Sequence, residues 1–199
     1  MENKFVNSLD ADKSLLLLVD YQRAMLYGVE SGDRTLIKNN VIALAKGAAV
    51  FDIPTVLTCI NEKRNGHFFP EITDALPAIN VINRQNPCFD AMDDEEVTQV
   101  MQRTNRKQLV MSGLWTSMCF AHTALHGLRD GYDVFGVVDA AGGESKESHD
   151  MAVLRMIQAG VVPVTWEQVV AEWMKTWKNP KAGQIEQDVF AAHNAFMSM

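Results

Sequence analysis

The stretch Lys107-Gln-Leu-Val-Met-Ser-Gly-Leu-Trp-Thr-Ser-Met-Cys119 reads as a buried strand that ends at Gly113 and turns into a helix around a cysteine. The same grammar repeats on either side of it. Short apolar runs rich in β-branched residues alternate with longer segments of helical period, which is the pattern of a parallel sheet with helices on both faces. Strands are predicted over residues 15–19, 55–60, 80–82, 108–112, 134–138 and 161–165, and helices over 35–51, 93–104, 117–129, 146–158 and 166–177. Asp33 supplies a start signal for the first helix, and Gly131 and Gly160 supply stops for the third and fourth. The fold class is therefore α/β: a three-layer, doubly wound, six-stranded parallel sheet of order 3-2-1-4-5-6. In that order the carboxyl ends of strands 1 and 4 flank the crevice where ligands bind.

Residues 1–177 make up this domain. Beyond them Lys178-Asn-Pro-Lys-Ala-Gly183 is a break, and residues 184–199 resume as a tail helix with Ile185, Val189, Ala192 and Phe196 on one face. Such a stripe has to cover apolar surface, either on its own domain or on a neighbouring subunit. The series Trp166, Val170, Trp173, Trp177 reads as core packing.

Composition narrows the function. With 199 residues, 47% of them hydrophobic, the chain buries roughly 70% of its unfolded surface in one core. Its 18 basic and 25 acidic residues leave a formal charge of −7, the wrong sign for neutralising the phosphates of a nucleic acid. No apolar run approaches the roughly 18–20 residues of a membrane span. Glu2, Lys4, Asp10 and Asp12 leave no room for a secretory signal near the start, so a cytoplasmic location is expected. Cys59, Cys88 and Cys119 are too scattered for a disulfide framework and show no CxxC spacing.

Three residues stand at strand ends. A thiol at Cys119, on the opening turn of its helix, would meet unpaired N–H groups and the positive end of the helix dipole, which favour thiolate; the plainer reading is a small apolar filler. Asp20, at the end of Leu-Leu-Leu-Leu-Val-Asp, is placed to accept a proton and return it, or merely to cap the next turn. Arg84 would project at the same edge and supply a fixed positive charge, or lie on the surface. His122 and His126 follow Cys119 at helical spacing, but helix geometry points them along its flank rather than at the strand ends. Asp139 reads as a brace for the loop Ala140-Ala-Gly-Gly-Glu-Ser, and His149 as part of the helix after Ser145.

The combination of Leu-Leu-Leu-Val-Asp20-Tyr-Gln, Val81-Ile-Asn-Arg84, Gly113-Leu-Trp-Thr-Ser-Met-Cys119 and Val137-Val-Asp-Ala-Ala-Gly resembles the isochorismatase-like cysteine hydrolases, nearest their YcaC-type bacterial branch, from about Leu9 to Trp177. The resemblance implies that Asp20 is the acid/base and that Cys119 attacks a carbonyl to form an acyl intermediate. Position 84 departs from the family's lysine; guanidinium keeps the charge but cannot act as a neutral amine. A cis peptide is implied at Leu114–Trp115, with the N–H groups of Trp115 and Cys119 as oxyanion hole. Nicotinamidase relatives bind a metal through an aspartate and histidines after the second strand; here Cys59-Ile-Asn-Glu-Lys-Arg-Asn-Gly-His67 offers one histidine, with Glu62 as its only companion, so neither metal nor cofactor is expected. Tyr21, Phe68, Phe69 and Trp115 are the expected pocket lining, and the loop at Gly66 a wall or lid.

The resulting expectation is a cofactor-free cysteine hydrolase of a small amide, carbamoyl or related carbonyl compound. By resemblance it is a homo-oligomer, an octamer. The alternative is a non-catalytic oligomeric binding protein that retains the fold. A peroxide-sensing thiol would need a resolving cysteine, and none is evident nearby in sequence.

Overall fold

Ser14-Leu-Leu-Leu-Leu-Val19 has no polar alternation, so as a strand it must be covered on both faces. It is β1 (Ser14–Val19), every residue of it buried, at the centre of the sheet. The computed structural model describes residue 6 and residues 8–194. After β1 come α1 (Arg23–Tyr27), α2 (Arg34–Val50), β2 (Thr55–Ile60), α3 (Glu62–Asn65), α4 (Pro70–Ala75), β3 (Val81–Arg84), α5 (Glu95–Arg103), β4 (Gln108–Gly113) and α6 (Ala121–Arg129). The chain continues through β5 (Asp133–Val137), α7 (Lys146–Ala159), β6 (Val162–Val164), α8 (Trp166–Met174), α9 (Ala182–Ile185) and α10 (Ala191–His193). The six strands are all parallel in the order 3-2-1-4-5-6, as the alternation of runs predicts.

The two sheet faces hold separate cores. Leu16, Leu18, Leu57, Val110 and Phe135 pack with α2, α8 and the tail, whereas Leu15, Leu17, Val19, Leu109 and Met111 pack with α5, α6 and α7. Local signals place the helices. Asp33 accepts the Thr35 and Leu36 N–H groups at 2.7 and 3.3 Å to start α2, and Gly160, at φ 110°, ends α7 in the left-handed region. No helix among the described residues is long and apolar enough to cross a membrane.

Four boundaries differ from the sequence reading for physical reasons. The third strand extends through Arg84 because that arginine is neutralised where it lies, so a charged residue ends a buried strand. The helix predicted from 117 opens instead with a π turn, Thr116–Phe120. The helix predicted to 177 stops at Met174, since Lys175 turns to φ 63°; Trp177 leaves the stripe and rests against Phe190, ring centres 6.1 Å apart. The tail is a helix interrupted by a π turn, Glu186–Phe190, whose wider winding advances the apolar face. Ile185, Val189 and Phe190 are therefore buried and Ala192 is exposed, while Phe196 lies outside the described residues. The described part of the tail packs on its own chain: Phe190 meets Trp166 at 6.0 Å, and the Asn39 amide pairs with His193.

β3 and β6 form the sheet's two edges, and β6 is only Val162-Pro163-Val164. Asp139 follows β5 and does not brace its own loop. Its Oδ1 accepts the Trp166 N–H at 3.0 Å, at the head of α8, and its carbonyl accepts the Asn40 amide at 2.8 Å. Burial pushes its pKa up to about 6 from an ordinary 3.8. The folded chain thus holds a proton that the unfolded chain has released, so stability falls as pH rises through that interval and the loss is complete above it. Asp139→Asn keeps the acceptor for Trp166 and is expected to remove this fall. Urea denaturation should show it gaining roughly 1–2 kcal/mol on the wild type between pH 4 and 7.5, allowing for the carboxylate's partial exposure. Parallel pH profiles for the two proteins would contradict the assignment.

Candidate active site

Strand register brings three distant residues to one place. Val19 lies beside Thr58 on one side and Gly113 on the other, and Arg84 lies beside Ile60, so the carboxyl ends of β1, β2, β3 and β4 form a common rim. Asp20 is the first residue past β1. An extended continuation would carry its side chain to the face of Leu18; instead it adopts φ 60°, a conformation that side chains with a Cβ disfavour. Its N–H is held by the Thr58 carbonyl at 2.8 Å. Its Oδ2 accepts Arg84 Nη2 at 2.9 Å, with both side chains wholly inaccessible. Arg84 Nη1 reaches Thr58 Oγ1 at 3.3 Å, and that hydroxyl donates onward to the Ile82 carbonyl.

Cys119 sits in the π turn between β4 and α6, 3% exposed, with its thiol against both the Asp20 carboxylate and the Arg84 guanidinium. The structure therefore gathers Asp20, Arg84 and Cys119 into one buried cluster. Asp20 Oδ1 and Arg84 Nε are buried there without a geometrically sound hydrogen bond to any described residue.

Electrostatics in the cluster run against the sequence expectation for the thiol. Burial, then the charge of Asp20, push the Cys119 pKa up, and Arg84 opposes them without prevailing. An anion adjoins the thiol along with the cation, and the π turn is not the first turn of a regular helix. A standing thiolate at neutral pH is thus replaced by a thiol facing a base. Burial also raises Asp20 against the pull of Arg84. For Arg84, burial works against the charge, but Asp20 and the neighbouring thiols outweigh it and keep the guanidinium protonated. The cluster sets a thiol beside an Asp20 carboxyl group that is paired with a guanidinium.

The other sequence candidates fall differently. Tyr21 does not line an open pocket: it is fully buried, its Oη donates to the Ala140 carbonyl at 2.8 Å, and Phe68 and Phe69 pack on it at 6.1 Å each. Phe68 and Phe69 are buried, and their outer edges border a cleft of about 870 Å³ shared with Leu26, Tyr27 and His67. The cluster residues are not among those lining that cleft. Trp115 follows a cis Leu114–Trp115 bond, is half-buried and donates Nε1–H to the Met25 carbonyl at 2.7 Å. A Cβ at Gly28 would lie 2.3 Å from its ring, so α1 must end in glycine for the indole to enter.

His122 bonds to the Met118 carbonyl at 2.8 Å and His126 to Asp90 at 2.8 Å, which commits both away from the thiol. The Asp90, Asp93 and His126 ligand atoms converge in a manner that metal sites share, a grouping hidden in the sequence by its span of over thirty residues. There the carboxylate of Asp90 also faces Arg129 at 3.5 Å. Glu62 and His67 form an exposed pair at 2.6 Å.

Two supporting residues escape a reading of sequence alone. Thr58 looks like any strand threonine. Gln22 sits in the motif after Asp20 and is fully buried, its Oε1 accepting the Ile60 N–H and its Nε2 donating to the Gly66 carbonyl at 2.6 Å. It fastens the loop after β2 to the end of β1.

Comparison with known proteins gives a consistent picture. The isochorismatase domain family model matches residues 14–168. The probable hydrolase YcaC of Escherichia coli K12 is 35% identical over 88% of the chain and 84% of its own length. The crystal structure of the E. coli YcaC gene product, described as an octameric hydrolase of unknown specificity, superposes with a TM-score of 0.90 at 34% identity, covering 96% of this chain and 93% of that one. YcaC from Pseudomonas aeruginosa, solved with hexane-2,5-diol and covalent acrylamide, gives 0.91 at 32% identity over 97% and 95%.

Breaking the buried ion pair from one side leaves a charge without a partner. Arg84→Met is expected to lower unfolding free energy by about 3–5 kcal/mol, while the double variant Asp20→Leu/Arg84→Met recovers most of the loss. Equilibrium denaturation of the three proteins checks this, and a single variant as stable as the wild type would refute it.

Proposed function

Since the chain belongs to the isochorismatase family, we propose that it is a cysteine hydrolase of a small amide, carbamoyl or related carbonyl compound, working through an acyl-thioester without a cofactor. The observation that carries this reading is the contact of Cys119 with an Asp20 carboxylate already paired to Arg84 at 2.9 Å. As Cys119 Sγ bonds to the carbonyl carbon, its proton passes to Asp20 and the carbonyl π electrons move to oxygen, where the N–H groups of Trp115 and Cys119 receive the charge. Collapse breaks the bond to the leaving nitrogen, which takes the proton from Asp20. Water then adds to the thioester, gives a proton to Asp20, and the C–S bond breaks as sulfur is reprotonated. Every proton and electron pair is handled by the chain and its substrate. Arg84 keeps Asp20 ionised between steps, the part of the lysine role that a permanent cation can fill.

The P. aeruginosa relative holds a covalent acrylamide, which agrees with a reactive group in that protein. The octameric E. coli relative supports a homo-oligomer here, and Met151, Leu154 and Ile157 on α7 are large apolar side chains left exposed on one chain.

The near-complete burial of all three residues favours a second reading, a non-catalytic oligomer that keeps the fold. Intact-mass analysis after exposure to a panel of small amides, carbamoyl compounds and activated esters divides the two. The hydrolase shows a substoichiometric acyl adduct on Cys119, no adduct in Cys119→Ala, and turnover slowed about 10²–10⁴-fold in Asp20→Asn. Absence of both adduct and turnover across the panel leaves the scaffold reading standing.

A further inference from the structure

The segment that presents Cys119 is a single π turn with no side-chain cap at its start. Such a turn is wider than an α turn and is rarely adopted, so contacts from outside must hold it. The hydrogen bonds of its first two side chains come from one place. Thr116 and Ser117, its first two residues, direct their hydroxyls to the segment that follows β5. Thr116 Oγ1 pairs with His149 Nδ1 at 2.8 Å, and its N–H donates to the Gly142 carbonyl at 2.9 Å. Ser117 Oγ donates to both oxygens of Glu144, at 3.0 and 3.2 Å, and the Ser148 hydroxyl donates to Oε1 of the same carboxylate at 2.6 Å.

We propose that Glu144 is a positioning residue for the nucleophile: its carboxylate, gripping Ser117 and Ser148 together, clamps the π turn of Cys119 to the first turn of α7. Both hydroxyls donate to the one oxygen Oε1, and Oε2 adds a second, longer contact to Ser117. Burial works against the Glu144 charge, but the Ser148 hydroxyl, a backbone N–H and the Ser117 hydroxyl outweigh it and hold its carboxyl below the ordinary value. The clamp therefore stays ionised throughout the neutral range. Acting two residues from the sulfur, it keeps the thiol against Asp20, the base that takes the proton as the sulfur attacks. The assignment rests on Cys119 being the nucleophile.

The test reads Cys119 alkylation by iodoacetamide at pH 6.5 and pH 9.5, resolved by peptide mass spectrometry with Cys88 as internal control. In the wild type Asp20 assists at the lower pH, whereas hydroxide replaces that assistance at the higher. Glu144→Ala is expected to lower the ratio of the two rates about tenfold, the size of losing roughly one hydrogen bond's worth of alignment, with the Cys88 ratio unchanged. Glu144→Gln retains an oxygen for both hydroxyls and should return the ratio to within about threefold. Ser117→Ala removes the same contact from its other end and serves if Glu144→Ala does not fold. An unchanged ratio, equal changes at Cys88, or failure of glutamine to rescue overturns the proposal. If wild-type Cys119 is inert at both pH values while Cys88 reacts, the nucleophile reading itself fails. The clamp is then judged by amide hydrogen exchange over 116–120, which Glu144→Ala must accelerate; unchanged exchange overturns it too.

Discussion

The ion pair between Asp20 and Arg84 is the interaction on which this site depends. Two full charges at 2.9 Å, both removed from water, are stable only together, since the desolvation of each is large and only the partner offsets it. The pair also fixes geometry. Arg84 belongs to edge strand β3, Asp20 to central strand β1, and the guanidinium spans the intervening β2 by leaning on Thr58. A charged cross-link thus runs over three strands. The left-handed backbone of Asp20, which costs about 1–3 kcal/mol, is what turns the carboxylate into it.

With that pair in place, burial and the two neighbouring charges together set the state of the Cys119 thiol. An apolar site would keep the thiol inert, and a purely cationic one would strip its proton permanently. A carboxylate already neutralised by a guanidinium does neither, because it accepts a proton without creating an isolated buried charge when it later gives the proton away. Burial raises both the thiol and the carboxyl, and Arg84 opposes it at each.

Much of this was legible in the residues. Hydrophobic runs without alternation specify strands buried on both faces, and the spacing between them leaves room only for crossover helices; the order of six strands follows from handedness. Asp20, Arg84 and Cys119 were legible because each lies at or just beyond the carboxyl end of a strand. What sequence does not show is direction and environment. Tyr21 adjoins Asp20 yet points into the core, and Lys175 stops α8 through a backbone angle that no side-chain pattern announces. The expected direction of the thiol shift fails because a helix-start argument counts only local dipoles, while burial, and after it the charge of a residue ninety-nine positions earlier in the chain, set the sign. Glu144 draws no attention in the sequence because its partners, Ser117 and Ser148, become a set only after folding.

Pro163 has a consequence at a larger scale. The three-residue strand that contains it lacks one backbone N–H on an edge that is already short, and at the opposite edge β3 spans only four residues and ends on a side chain drawn inward. Neither margin offers the long ladder of unpaired amides and carbonyls that strand addition requires. Both edges of the sheet are therefore poor templates for joining copies of this chain sheet to sheet into a continuous ribbon.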